Sequence, residues 1–157
     1  MPEDQAVTLF VNGTLMRGEE LHGNLRGARF IGGRRTAPRY RLYSVADRHP
    51  AMQETDQDGV SVAGELYCVP LAVLARVLRD EPPGLGLGVV RLDDGSHTLG
   101  VVRVAGGGRL EVRDISEFGG WREYRRTAMA ASDASDDLQR AGYGAASNDS
   151  RRRHEIR

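Results

Sequence analysis

The sequence predicts an α+β domain, a small and strongly bent mixed β-barrel of about six or seven strands with one main helix. Two observations carry this. Short apolar or alternating runs, punctuated by Gly, Pro and Asp turns, recur from Val7 to Val112. Between them lies a single stretch with helical periodicity, Leu71 to Arg79. A third observation bounds the domain. From about Ala128 small and polar residues dominate, and such a segment buries too little apolar surface to offset its ordering entropy. The expected division is a frayed N-terminus over 1–6, a domain over 7–126 and a flexible, disordered polar tail over 127–157.

Val7 to Val11 reads as the first strand and runs into a polar turn, Asn12-Gly13-Thr14, followed by Leu15 and Met16. Glu19 to Leu25 suits a short helix or helical turn, with Leu21 and Leu25 four residues apart. Ala28–Gly33, Arg39–Val45 and Pro50–Met52 read as strands. Asp56-Gln57-Asp58-Gly59 is a turn, and Val60 to Tyr67 alternates over its first half. Pro70 is placed in the first turn of the helix, where proline is tolerated. Leu71, Leu74, Val77 and Leu78 form its apolar stripe. The helix should stop before Pro82-Pro83, because the residue preceding proline is pushed out of helical geometry. Gly84 to Gly88 reads as a loop. Val89–Leu92 and Leu99–Val104, joined by Asp93-Asp94-Gly95, read as a hairpin. Gly106-Gly107-Gly108 gives a further turn before a short edge strand over Leu110–Val112.

Composition removes several classes of function. The 157 residues carry no net charge, with 22 basic and 22 acidic side chains, so no nucleic-acid or anionic-membrane partner is indicated. Every basic residue other than histidine is arginine, which excludes a Schiff-base lysine and a P-loop lysine. One cysteine, Cys68, rules out an intrachain disulfide, and its apolar run suits a buried thiol better than a nucleophile. His22, His49, His97 and His154 lack ligand spacing, so no metal is expected. Ser44 and Ser61 lack the Gly-x-Ser-x-Gly context of a hydrolase elbow. With no secretory leader pattern and no apolar run approaching the ~20 residues of a membrane span, a soluble cytoplasmic protein is expected. Arg151-Arg152-Arg153-His154 reads as a solvated basic cluster, offset by nearby aspartates.

Two features carry chemistry. The Asn12–Leu15 turn can direct several backbone N–H groups one way, as a carboxylate or an oxyanion requires, and Gly13 permits close approach. Glu81, in Arg79-Asp80-Glu81-Pro82-Pro83, is the best candidate general acid or base. A carboxyl half enclosed by apolar walls has its pKa raised toward neutrality, which suits proton transfer. The alternative is a surface acid at a helix end. Tyr40 and Tyr43 could line a pocket or be half-buried strand residues, and Glu65 could serve a site or pair with an arginine.

Leu9-Phe10-Val11-Asn12-Gly13-Thr14-Leu15 resembles the V-Y-G-T-L signature of the γ-glutamylcyclotransferase superfamily, with Asn12 in place of the usual tyrosine. Gly27-Ala28-Arg29-Phe30, Thr36-Ala37-Pro38-Arg39-Tyr40-Arg41-Leu42-Tyr43, Pro82-Pro83-Gly84-Leu85-Gly86-Leu87-Gly88 and Asp114-Ile115-Ser116-Glu117-Phe118-Gly119-Gly120-Trp121 resemble the C-terminal domain of allophanate hydrolases, which belongs to that superfamily. The matches keep their order over residues 8–124. The resemblance implies a γ-glutamylcyclotransferase-like small mixed β-barrel. It implies catalysis by Glu81, or by Asp80 after a one-residue slip. It also implies a substrate site formed by Asn12, Gly13, Thr14, Leu15, Tyr43, Glu65 and Gly86. The reaction it implies needs no cofactor: the α-amine of a γ-glutamyl amide attacks its own γ-carbonyl, giving 5-oxoproline and an amine. The Gly84–Gly88 run is the hallmark of the allophanate-hydrolase branch, where the domain acts on small carboxylated nitrogen compounds or supports an amidase. This chain carries no amidase signature. The implied alternatives are therefore an enzyme of small amides and a non-catalytic accessory module serving a partner amidase in urea and allophanate nitrogen metabolism.

Overall fold

In a computed structural model, residues 5–104 and 111–146 are described. They form strands β1 (Ala6–Val11), β2 (Arg29–Arg35), β3 (Tyr40–Val45), β4 (His49–Glu54) and β5 (Ala63–Pro70), then helix α1 (Leu71–Asp80). Strands β6 (Leu85–Arg91), β7 (His97–Arg103) and β8 (Val112–Asp114) follow, and helix α2 (Trp121–Ala146) comes last. Chain contacts divide the protein after Arg122 into two compact units.

The first unit is α+β, as the sequence pattern predicts. A five-stranded sheet has the order β2-β5-β1-β7-β6, and a three-stranded sheet has the order β4-β3-β8. The β1–β7 pair is parallel and the other pairs are antiparallel. β1 lies at the centre, with Leu9, Phe10 and Val11 at most 1% exposed. Covered on both faces, it reads as an apolar run instead of an alternating one. The sheets do not close into a full barrel. The edge strands β2 and β6 approach only past their ends, through a bridge between Thr36 and Leu92. Pro38 follows two residues later and cannot donate to a ladder. The phenol of Tyr40 joins the two sheets, accepting the N–H of Arg91 at 2.9 Å.

Four local expectations are corrected. Of the Gly84–Gly88 run only Gly84 lies in a turn, because β6 begins at Leu85. Gly86 and Gly88 sit where a Cβ would come within 3.2 Å of Val104 and 2.5 Å of Val102, so β-branched neighbours fill the space a side chain would take. In α1 the buried face is Val73, Leu74 and Val77, while Leu71 and Leu78 are 49% and 36% exposed. Pro70 is the last residue of β5 and the N-cap of the helix, with extended ψ, not a residue of its first turn. The helical turn before β2 shrinks to a 3-10 turn over His22–Leu25.

In the second unit, α2 continues to Ala146 through much of the segment expected as a polar tail. Alanine-rich sequence sustains the helix by intrinsic propensity, with few large apolar residues after Tyr124. Glu123 and Arg126 pair one turn apart at 3.2 Å, and Met129 and Leu138 are 61% and 75% exposed. Among the described residues, no helix is long and apolar enough to cross a membrane. The Gly106–Gly108 turn, Leu110 and the Arg151–His154 cluster lie outside the described residues.

The β1–β5 contact sets the geometry of the site and gives a first prediction. A Cβ on Gly64 would lie 2.4 Å from the Phe10 ring and 2.5 Å from the Val11 carbonyl oxygen. The backbone atom cannot swing aside, so Gly64→Ala should cost about 1–3 kcal/mol, as overpacking does. Urea denaturation should show the loss, and an unchanged midpoint would contradict this packing.

Candidate functional site

The carboxyl end of β1 delivers Asn12-Gly13-Thr14-Leu15 onto the start of β4. Gly13 packs on the Pro50 ring so closely that a Cβ would stand 2.4 Å from the proline Cγ. Here glycine is required by close approach. The carbonyls of the turn are engaged within the protein. That of Gly13 accepts the N–H of Met16 at 3.0 Å, that of Thr14 accepts the N–H of Leu21 at 2.8 Å, and that of Leu15 accepts Nδ1–H of His22 at 3.0 Å. Among the described residues, no hydrogen bond engages the N–H groups of Gly13, Thr14 and Leu15. Asn12 is 6% exposed, and its amide donates to the Met52 sulfur at 3.2 Å. A structural contact therefore occupies the position where the superfamily has tyrosine.

Glu81 is set by the end of α1. Its N–H still reaches the Leu78 carbonyl, at 3.4 Å, but its own ψ is 141°, extended. The proline that follows forbids helical geometry and turns Glu81 out of the helix. The side chain thereby joins the Asn12–Leu15 turn in lining one cleft, together with Val11, His49, Pro50, Leu85 and Val101. The cleft and its mouth enclose about 310 Å³. Its inner part is narrow, with room for about one or two water molecules. Burial, and secondarily the charge of Asp80, push the Glu81 carboxyl up to about 7. Asp80 itself is exposed, paired with Arg79 at 3.3 Å and absent from the cleft lining.

Tyr43, Glu65 and Gly86 are not among the residues lining this cleft. Tyr43 lies on β3 with the Arg103 guanidinium 5.7 Å above its ring. Gly86 lies one residue beyond Leu85 in β6. Glu65 pairs with Val11 in the β1–β5 ladder, but its carboxylate, 3% exposed, serves a separate cluster. It accepts the Arg17 N–H at 2.7 Å, the Arg17 Nε–H at 3.3 Å and the Tyr67 hydroxyl at 3.1 Å. The Arg122 guanidinium stands 3.6 Å away. Burial, then the Glu65 charge, push the Tyr67 phenol up to about 12. The residues that sequence reasoning did not place at the cleft are Val11, His49, Pro50, Leu85 and Val101. They come from four strands, and nothing local marks their meeting.

Turn, helix end and sheet order define a small α+β domain, and comparison with known proteins specifies its family. Residues 7–126 match the model of the allophanate hydrolase C-terminal domain, and the chain belongs to that family. A solved structure described as a uropathogenic E. coli-specific protein is 43% identical, with a TM-score of 0.72, over 76% of this chain and 95% of that one. The urea amidolyase of Lachancea kluyveri is 27% identical over 131 residues, which is 78% of this chain and 7% of that protein. A Vibrio cholerae protein named "Putative gamma-glutamylcyclotransferase" is 38% identical over 76 residues, 47% of this chain and 63% of that one. The chain thus spans less than two thirds of the length of these two curated relatives.

Proposed function

We propose that this protein is a γ-glutamylcyclotransferase-like enzyme that cyclises a small γ-glutamyl amide to 5-oxoproline and releases an amine. The observation that carries this reading is a carboxyl titrating near neutrality in the same cleft as a turn with N–H groups to offer. The turn holds the glutamyl part through those N–H groups. Glu81 takes a proton from the substrate's α-amine as that amine attacks the γ-carbonyl, and delivers it to the departing amine. Attacking nitrogen and carbonyl belong to one molecule, so the gain comes from orientation and from proton transfer near the operating pH. The required acceleration asks for no metal, nucleotide or other cofactor. A thiol that forms no intrachain disulfide is compatible with the reducing cytoplasm, where we place this reaction.

The test is direct. Incubation with a panel of γ-glutamyl amines and small carboxylated ureas, followed by mass analysis, should reveal 5-oxoproline and a free amine. Asp80→Asn should retain most of the activity, because Asp80 is exposed and outside the cleft lining. Loss of turnover in that variant would move the acid/base role by one residue.

A second reading is favoured by the family match and by the likeness to a urea amidolyase. In it the protein is an accessory module that binds a small carboxylated nitrogen compound and serves a partner amidase. If no amide in the panel turns over and addition of the chain raises the yield of such an amidase, this reading replaces the first.

A further inference from the structure

His49 shares the cleft with Glu81 and plays no part in the proton transfer above. It is half-buried at the first position of β4. Its Nδ1 lies 3.2 Å from the carbonyl oxygen of Pro50. A carbonyl can only accept, so Nδ1 carries the proton and the neutral ring leaves Nε2 as an acceptor. The anchor is itself pinned, because the Pro50 ring is packed against Gly13.

The cleft therefore combines two opposite hydrogen-bonding capacities. The turn offers donors from Gly13, Thr14 and Leu15. The imidazole offers an acceptor from another strand. An amide group, with a carbonyl oxygen and an N–H, is complementary to this pair. An ester or a tertiary amide has no N–H for the imidazole. A site built to take an N–H rejects the analogue that lacks it, because its own acceptor is then left unpaired.

We infer that Nε2 of His49 accepts the N–H of the ligand's amide, making the cleft selective for secondary amides over tertiary amides and esters. This rests on the amide-substrate reading and specifies which amides qualify.

The test separates the two by using ligands that cannot react. Glutaric acid mono-N-ethylamide has no α-amine and cannot cyclise, and its N-ethyl-N-methyl counterpart differs by the missing N–H. Titration calorimetry at about pH 8, where an ordinary imidazole is neutral, should show wild type binding the N–H form about five- to tenfold more tightly. His49→Leu should bind the two equally, and His49→Gln, which keeps an acceptor, should recover part of the preference. In wild type, the imidazole nitrogen resonance should move on binding the N–H form only, a readout that needs no variant. An equal preference in wild type and His49→Leu overturns the inference. A preserved preference without turnover of any γ-glutamyl amide removes the cyclisation reading and leaves this one standing. Failure of wild type to bind either compound overturns both.

Discussion

Glu81→Gln lowers turnover of a γ-glutamyl amide by about 10²–10⁴-fold, the range expected when a positioned acid/base is removed. Glutamine keeps the size and the hydrogen-bonding capacity of the side chain but cannot shuttle a proton. Substrate binding persists, because the Asn12–Leu15 turn is untouched. The loss therefore appears in kcat and not in KM. The same variant changes stability in the opposite direction. The folded carboxyl titrates near 7, above its ordinary value of 4.5. Between those values the folded state holds more protons than the unfolded state, so stability falls as pH rises through that window. The penalty is complete above about 7 and is on the order of 3 kcal/mol. Glu81→Gln carries no such penalty. Its denaturation midpoint should match wild type at about pH 4 and exceed it at about pH 8. Normal turnover in this variant would remove the acid/base proposal. Equal midpoints at both pH values would place the carboxyl in water.

How much of this was legible in the sequence depends on how local the cause was. Asn12-Gly13 after an apolar run declares a turn, and Glu81 before Pro82-Pro83 declares a helix end with its carboxyl turned aside. Both signals lie within a few residues, and both led to the cleft. The Asp93-Asp94-Gly95 hairpin was legible for the same reason, with Gly95 at a φ of 85° as such a turn requires. The glycine-rich start of β6 was not. Gly86 and Gly88 are strand residues only because Val102 and Val104 across the ladder fill their missing side chains. The α1 stripe was displaced by tertiary packing, which chose Val73 over Leu71 and Leu78. The extent of α2 follows from intrinsic helix propensity in a segment whose few apolar residues read as a disordered tail. His49 gave no signal, since its meeting with Glu81 depends on how β4 and the end of α1 are placed around β1.

Glu65→Ala is the substitution expected to damage the fold most near the site. The carboxylate is buried and holds Arg17 by backbone and side chain, two residues past Leu15. Removing it leaves the Tyr67 hydroxyl and the Arg17 N–H without their acceptor. Breaking a buried ion pair by deleting one partner costs about 3–5 kcal/mol when the other charge stays buried. Here the arginine side chains of residues 17 and 122 are 58% and 43% exposed and can return to water. The cost should therefore fall to about 2–3 kcal/mol, set chiefly by the orphaned phenol and N–H. Glu65→Gln, which keeps an oxygen acceptor, should lose about half of that. Denaturant titration measures both. An ultraviolet titration adds a readout specific to the cluster. The Tyr67 phenol should drop from about 12 but stay above an ordinary tyrosine, because burial is the larger cause and the Glu65 charge the smaller. A Glu65→Ala protein with an unchanged midpoint would mean that this carboxylate does not anchor the segment after the N–H turn. The turn's geometry would then have to come from the Gly13–Pro50 contact alone.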